Sequence, residues 1–399
     1  MRGVIATLPF LRLGSTGTVP LAWRNLVADK RRLLRSTSGI SFAVLLMLLQ
    51  LGFRGAFLDS SLAVIQKLDG DIFITSSTKF RFGRKDPFSF RQLYAARAID
   101  GVEWARLIYG EWMISAWKNP WTRKTYNAQV LGFDPAQPVF LLPEIAARLE
   151  QLKQPDTAMF DLRARRFLGT AEDGVVTELA RRQIRVVGNF SLGPDFTTDG
   201  TVIMSDWNFR KFFPPPPSAA GYLGDVEFGV IKVRPGFQVE DVQRALKQAL
   251  PASIAVRTKA QLVALEVAFQ NGVSPVGPIF MLGTAIGFIV GLMISYQILY
   301  TELSDQLSQY ATLKAIGYEN GYLVRVVLLQ AAFYGVVGFL PAWTLGLIIF
   351  YAIGEMALLP MRLGAAISVG TLALTVGMCV LSGVLAVRRV LDADPAEVF

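Results

Sequence analysis

The sequence has 399 residues, 52% of them hydrophobic and only 18% charged, with a formal net charge of +9. Soluble domains average about one quarter charged, so this balance points to a membrane class. It holds no histidine and a single cysteine, Cys379, which excludes an intramolecular disulfide and every histidine-based metal site or catalytic triad.

Residues 1–36 carry Arg2, Arg12, Arg24, Lys30, Arg31, Arg32 and Arg35 against one acid, Asp29. Within them, residues 20–35 interleave Leu21, Leu26, Val27, Leu33 and Leu34 with the bases, which predicts an amphipathic helix lying on the cytoplasmic face. A basic leader also suits a nucleic-acid patch, but an apolar run follows it directly. Membrane topology and anionic headgroups explain the charge more simply, and no nucleic-acid partner is expected. That run, residues 36–53, is uncharged and spans a bilayer if Arg54 snorkels to the interface. No small-x-small cleavage site follows it, so it reads as a retained anchor rather than a cleaved signal peptide. The first transmembrane helix and the start of a stalk take residues 37–58. Phe53, Phe57, Leu58, Leu62, Ile65 and Leu68 carry the helical spacing beyond the membrane.

Residues 59–272 change character and predict a large α+β extracytoplasmic (periplasmic) domain with stalks. Short β-type runs appear at 71–75, 106–117, 126–133, 184–190 and 227–234, punctuated by turn formers. A helix is predicted over 239–250 and a returning stalk helix over 258–272. The tetraproline at 214–217 reads as a rigid surface loop ahead of a polyproline partner motif. Acid pairs such as Asp69/Asp71 and Asp199/Asp206 suit a solvated surface better than acid–base catalysis.

Three further uncharged stretches predict transmembrane helices at 273–301, 325–353 and 365–387, joined by a cytoplasmic loop at 302–324 and a periplasmic turn at 354–364. The cations of the leader, with Arg388 and Arg389 in the tail at 388–399, place both termini in the cytoplasm by the positive-inside rule. The fold class is therefore a membrane protein of four transmembrane helices, with the α+β domain inserted between helices 1 and 2. In the second span, Gly283, Gly287 and Gly291 form two overlapping GxxxG units on one face. That helix interface serves a dimer contact or sliding surface, or ordinary packing against another span.

The loop after the second span, residues 302–327, places Leu303, Leu307, Tyr310, Leu313, Lys314 and Ile316 on an amphipathic cytoplasmic helix stopped at Gly317. Such a helix docks a soluble partner or rests on headgroups. No GxxxxGK[ST] phosphate loop and no GxSxG elbow occur, and the spans lack charged residues, against an intramembrane proton relay. No cofactor or metal is expected. A membrane-anchored enzyme lacks its nucleophile and metal motifs.

The run YATLKAIGY, Tyr310 to Tyr318, with YQILYTELSDQL before it, closely resembles DevC-type permeases of the MacB/FtsX/LolC superfamily. Residues Leu21 to Leu48, Val230 to Pro251 and the C-terminal DPAEVF are also similar to that family; about residues 140–225 match nothing in it. The resemblance implies a non-catalytic permease subunit of an ATP-driven (ABC, mechanotransmission-type) exporter in the inner membrane. A separate cytoplasmic ABC ATPase dimer would bind ATP and dock on Leu307, Gln309, Tyr310, Leu313, Lys314, Ile316, Gly317 and Tyr318. A second copy of the chain, a periplasmic membrane-fusion adaptor, an outer-membrane tunnel protein and membrane lipid are the other implied partners, and a glycolipid or other amphiphile is the implied cargo. Relatives generally carry Glu where this chain has Gln309, which leaves packing by Tyr310, Leu313 and Ile316 to supply the contact. An FtsX-like regulator of a periplasmic cell-wall hydrolase is the alternative within the same superfamily.

Overall fold

The computed structural model describes residues 30–112, 115–214 and 225–387, which divide into two compact units. The leader at 20–29, Pro215 to Pro217 and the tail with Arg388, Arg389 and the DPAEVF ending lie outside the described residues.

One unit is helical. It contains α1 (Lys30–Gln66) as far as Phe53, and the C-terminal helices. Among the described residues, four helices are long and apolar enough to cross a membrane: α1 from Ser36, and those at Val276–Asp305, Asn320–Ala357 and Ala365–Ala386. Their ends run past the uncharged stretches, so the expected loop at 302–324 shortens at both sides. Ile40, Val44, Met47 and Leu48 from α1 pack with Leu299, Val327, Ala331, Tyr334, Met378 and Cys379 in one buried cluster.

The other unit, residues 54–278 with 352–362, is built on β-structure. Its elements are β1 (Ile72–Ser76), β2 (Phe88–Ser89), α2 (Arg91–Arg97), β3 (Val102–Glu111), β4 (Trp117–Lys118), β5 (Thr125–Tyr126) and β6 (Gln129–Phe133). Then come α3 (Pro143–Ala146), α4 (Leu149–Leu152), β7 (Thr157–Asp161), β8 (Val176–Leu179), β9 (Arg182–Phe190), β10 (Thr201–Ser205) and α5 (Asp206–Phe212). The unit closes with β11 (Asp225–Val226), β12 (Phe228–Val233), α6 (Val239–Ala249), β13 (Ile254–Thr258) and α7 (Lys259–Gly272). Eleven strands form one sheet in the order β13-β1-β12-β3-β6-β10-β7-β9-β8-β4-β5. Its ladders are antiparallel except β6–β10 and β7–β9.

The sheet is covered on both faces, as strand alternation shows. Ile72 and Ile74 enter one core while Phe73 enters the other; Val202 and Met204 part from Ile203, and Ala158 and Phe160 from Met159, in the same way. The single β run expected at 106–117 is instead two strands on opposite sides of the sheet, β3 near its centre and β4 near its edge. The runs at 126–133 likewise divide between β5 and β6. The returning stalk begins with no linker: Thr258 ends β13 and caps α7, its hydroxyl accepting from the Gln261 N–H while the Gln261 side chain accepts from its own N–H, a capping box.

Candidate functional site

The helix α8 (Val276–Asp305) ends where Gln306 leaves helical geometry, and a separate short helix, α9 (Leu307–Ala315), follows. The expected amphipathic helix is therefore shorter than predicted: Leu303 belongs to α8, buried in the helical cluster. At the other end, Tyr318 N–H donates to the Leu313 carbonyl at 3.1 Å and Gly317 N–H to that of Lys314 at 3.0 Å. This is a Schellman stop, and it needs a left-handed residue; Gly317 supplies it with φ of +101°. The Tyr318 ring then packs, tilted by 38°, against that of Tyr322 at 4.9 Å, in the first turn of α10 (Asn320–Ala357).

Tyr310 is only 2% exposed and joins the buried helical cluster. The ring anchors α9 from beneath, because part of the apolar stripe of so short a helix is claimed by the chain's own bundle. Burial, and after it the Glu302 charge, pushes its hydroxyl above the ordinary tyrosine range. Leu307, Leu313 and Lys314 are half-buried, Leu313 packing against the same cluster. Gln309, Gly317 and Tyr318 are exposed, and Ile316 is 69% exposed. An apolar side chain so open, beside a rigid turn, is the part of the predicted set free to meet a partner.

Sequence reasoning missed the polar pair under this turn. Glu302, 2% exposed, accepts a hydrogen bond from Gln330 Nε2 at 2.5 Å, and Gln330 is fully buried. Glu302 lies just past the expected span at 273–301, in the last turn of α8. The signal available was Gln330 inside an otherwise apolar stretch, since a buried amide requires a partner.

The glycine face is also placed. A Cβ on Gly283 would meet the Gln50 side chain at 2.5 Å, one on Gly287 Met47 at 3.0 Å, and one on Gly291 Met378 Sδ at 2.5 Å and Ala43 at 3.0 Å. The stripe is the seam against α1, with Met378 supplied by α11 (Ala365–Ala386). This chain's own helices fill the face that a dimer would otherwise use.

In the β-unit, the segment 77–87 straps α7 to the sheet. Phe82 N–H donates to Glu266 Oε2 at 2.7 Å, while Glu266 Oε1 accepts from Gln270 at 2.8 Å. The Phe82 ring stacks on Phe228 at 4.3 Å. At the base of the strap, Lys79 and Glu227 form a buried pair at 2.6 Å. Burial pulls the Lys79 ammonium down and pushes the Glu227 carboxyl up, despite their contact. A cavity of about 280 Å³ lies beside the strap, lined among others by Arg81, Trp112, Gln129, Asp195 and Glu266. The acid pairs weighed as catalysts are structurally engaged. Lys232 bridges Asp69 and Asp71 at 2.8 and 3.6 Å, Asp199 pairs with Arg165 at 3.2 Å and Asp206 with Arg210 at 3.0 Å. Among the described residues no group of three or more metal-ligating side chains occurs.

Residues 281–395 match the family described as FtsX-like permease C-terminal. An uncharacterized ABC transporter permease of Methanocaldococcus jannaschii is 25% identical over 186 residues, covering 46% of this chain and 45% of that protein. The chain thus matches less than half the length of that relative. Among solved structures, the periplasmic region of MacB from Actinobacillus actinomycetemcomitans is 11% identical, with 51% of this chain and 94% of that one covered and a TM-score of 0.34. The extracellular domain of the noncanonic ABC-type transporter YknZ from Gram-positive bacteria is 9% identical, with 47% and 98% covered and a TM-score of 0.31. The C-terminal helices, over residues 281–395, are thus similar to an FtsX-like permease C-terminal domain.

Proposed function

We propose that the chain is the permease subunit of an ATP-driven exporter of the mechanotransmission type, close to the DevC-type permeases. It sits in the inner membrane with both termini cytoplasmic, pairs with a second copy and performs no catalysis of its own. A separate ATPase dimer docks on the turn after α9, and a periplasmic adaptor with an outer-membrane tunnel completes the path for a glycolipid or other amphiphile. One observation carries this reading. In an FtsX-like permease domain, the helices α8 and α10 are joined by a short capped helix that is anchored from beneath by Tyr310 and shows Ile316 and Tyr318 to solvent.

Ile316→Asp tests it. A carboxylate at an exposed position leaves the fold intact, whereas burying it against a partner costs several kcal/mol. In proteoliposomes with the cognate ATPase, this variant is expected to hydrolyse ATP without export. Leu313→Asp should do the same but also weaken α9, since Leu313 is packed against the cluster. Normal coupled export by Ile316→Asp refutes the docking assignment.

A further inference from the structure

Two acid-free segments of the β-unit meet at one edge. Residues 117–126 and 162–170 contain Lys118, Arg123, Lys124, Arg163, Arg165 and Arg166 and no Asp or Glu. Trp117, Asn119 and Trp121 stand at alternate positions and donate side-chain N–H groups to the carbonyls of Leu168, Phe167 and Thr170 at 3.1, 2.8 and 3.0 Å. Asn119 also shapes its own turn, accepting from the N–H groups of Trp121 and Thr122 at 2.7 and 2.9 Å. The close approach is written into the sequence at Gly169, φ +82°, where a Cβ would come within 2.9 Å of the Asn119 side chain. Trp121 is consequently 68% exposed yet held in one orientation. Phe167, against Tyr126 at 4.9 Å, and Leu162 are exposed beside it.

Part of the charge is neutralised within the chain. Lys118 and Arg123 meet Glu178 at 2.7 and 3.2 Å, and Arg165 meets Asp199. Lys124, Arg163 and Arg166 have no acid within ion-pair distance among the described residues.

The chain itself indicates what lies against this edge. Arg163 Nη2 donates to the Leu358 carbonyl at 3.4 Å, and Gly193 closes on the same atom. Leu358 belongs to the connector between α10, which ends at Ala357, and α11, which starts at Ala365; both helices are long and apolar enough to cross a membrane. Seven residues spend at most ~25 Å of chain on leaving and returning, so the connector stays at a membrane surface. Arg163 therefore lies against the connector that joins two candidate membrane spans.

We infer that the edge built from Trp121, Leu162 and Phe167, with Lys124, Arg163 and Arg166, is seated on anionic phospholipid headgroups of the bilayer the chain spans. Exposed aromatic rings among bases match the chemistry of the membrane interface, where apolar bodies enter the acyl boundary and cations meet phosphate. A second copy of the same basic edge would be repelled. The inference needs only the membrane spans, and it stands or falls independently of the exporter reading.

The test uses the full chain with Cys379 replaced by Ser and a fluorophore on Thr122→Cys, reconstituted in phosphatidylcholine vesicles with or without phosphatidylglycerol. A reference probe sits at Arg244→Cys on α6, an exposed position. With phosphatidylcholine spin-labelled high on its acyl chain as quencher, quenching at 122 should exceed that at 244 roughly threefold in the anionic vesicles. It should fall toward the reference without phosphatidylglycerol, and also in a Lys124→Gln/Arg166→Gln chain. The comparison of vesicles needs no substitution at the edge, so a poorly folding variant does not blunt the test. Equal quenching at both probes overturns the inference. So does a probe at 122 shielded from both lipid-borne and aqueous quenchers, which would mean that an acidic protein surface covers the edge.

Discussion

Removing Lys79 should be among the most damaging single changes in the β-unit. Its side chain and that of Glu227 are 2% and 4% exposed, with Nζ 2.6 Å from Oε2. The ammonium also donates to the Arg84 carbonyl and lies 4.4 Å from the Phe228 ring centre. Lys79→Met strands the Glu227 carboxylate in a dry site, which costs about 3–5 kcal/mol. In a unit of this size that is on the order of 10 °C in Tm. Glu227→Leu alone should cost a similar amount by stranding the ammonium. The double variant Lys79→Met/Glu227→Leu should recover most of the loss, because desolvation is the largest influence on both groups and apolar replacement of such a pair is often neutral or better. As a control, Lys153→Ala breaks the exposed contact with Glu150 and should move Tm by no more than about 2 °C. The assay is thermal unfolding of the full chain in detergent, read for the transition of this unit. If Lys79→Met behaves like the surface control, or if the double variant is as unstable as the singles, the reasoning about the pair is wrong.

Gly317→Ala meets no neighbour, since nothing lies within 4 Å of the added Cβ, so its cost is purely conformational: about 1–2 kcal/mol for a left-handed L-residue. Amide exchange at Tyr318, whose N–H closes the Schellman turn, should accelerate roughly fivefold or more; unchanged protection would contradict the assignment. Glu266 offers a pH test. Burial pushes its carboxyl above the ordinary 4.5, so folding favours the protonated form. That stability is present in full below the unfolded value and is lost as pH rises through the higher folded one. Glu266→Gln keeps an acceptor for Phe82 N–H and should flatten stability against pH across the weakly acidic range; an unaltered pH slope would count against it.

The legible parts of the sequence were those in which one property decides the outcome. Long uncharged runs marked the four spans because nothing else satisfies a backbone in lipid. Strands such as β1 and β12 were legible from short β-branched and aromatic runs between turn formers. Within 140–225 the run at 184–190 was legible and forms β9, but β7 and β10 were not, and the sheet shows why. Thr157–Asp161 and Thr201–Ser205 are central strands buried along their whole length, so they lack the alternation that marks a half-exposed strand. Periodicity also cannot say which surface an apolar stripe meets. It put Tyr310 and Ile316 together, and the bundle took the first and left the second. Spacing put Gly283, Gly287 and Gly291 on one face, but only packing showed that Ala43, Met47 and Gln50 of the same chain occupy it.

Under the proposed reading, the question that remains is how movement of α7 reaches the sheet, and the covalent and polar connections give a physical answer. A flexible linker would dissipate a displacement, but β13 passes into α7 at Thr258 with no residue between them and a capping box at the junction. Farther along the helix, Glu266 holds the backbone of Phe82, whose ring rests on Phe228 at the start of β12. Asn271, near the end of α7, accepts from Arg54 Nη2 of α1 at 2.8 Å, tying the returning stalk to the outgoing one. The helix is thus fixed to the sheet at β13 and β12, on either side of β1 in the strand order. Rotation of α7 about its own axis would have to break the Glu266 bond, whereas tilting carries Thr258, Glu266 and the strap together. Those connections resist twist and transmit tilt, which makes tilt the motion that a mechanically coupled permease can deliver to this domain.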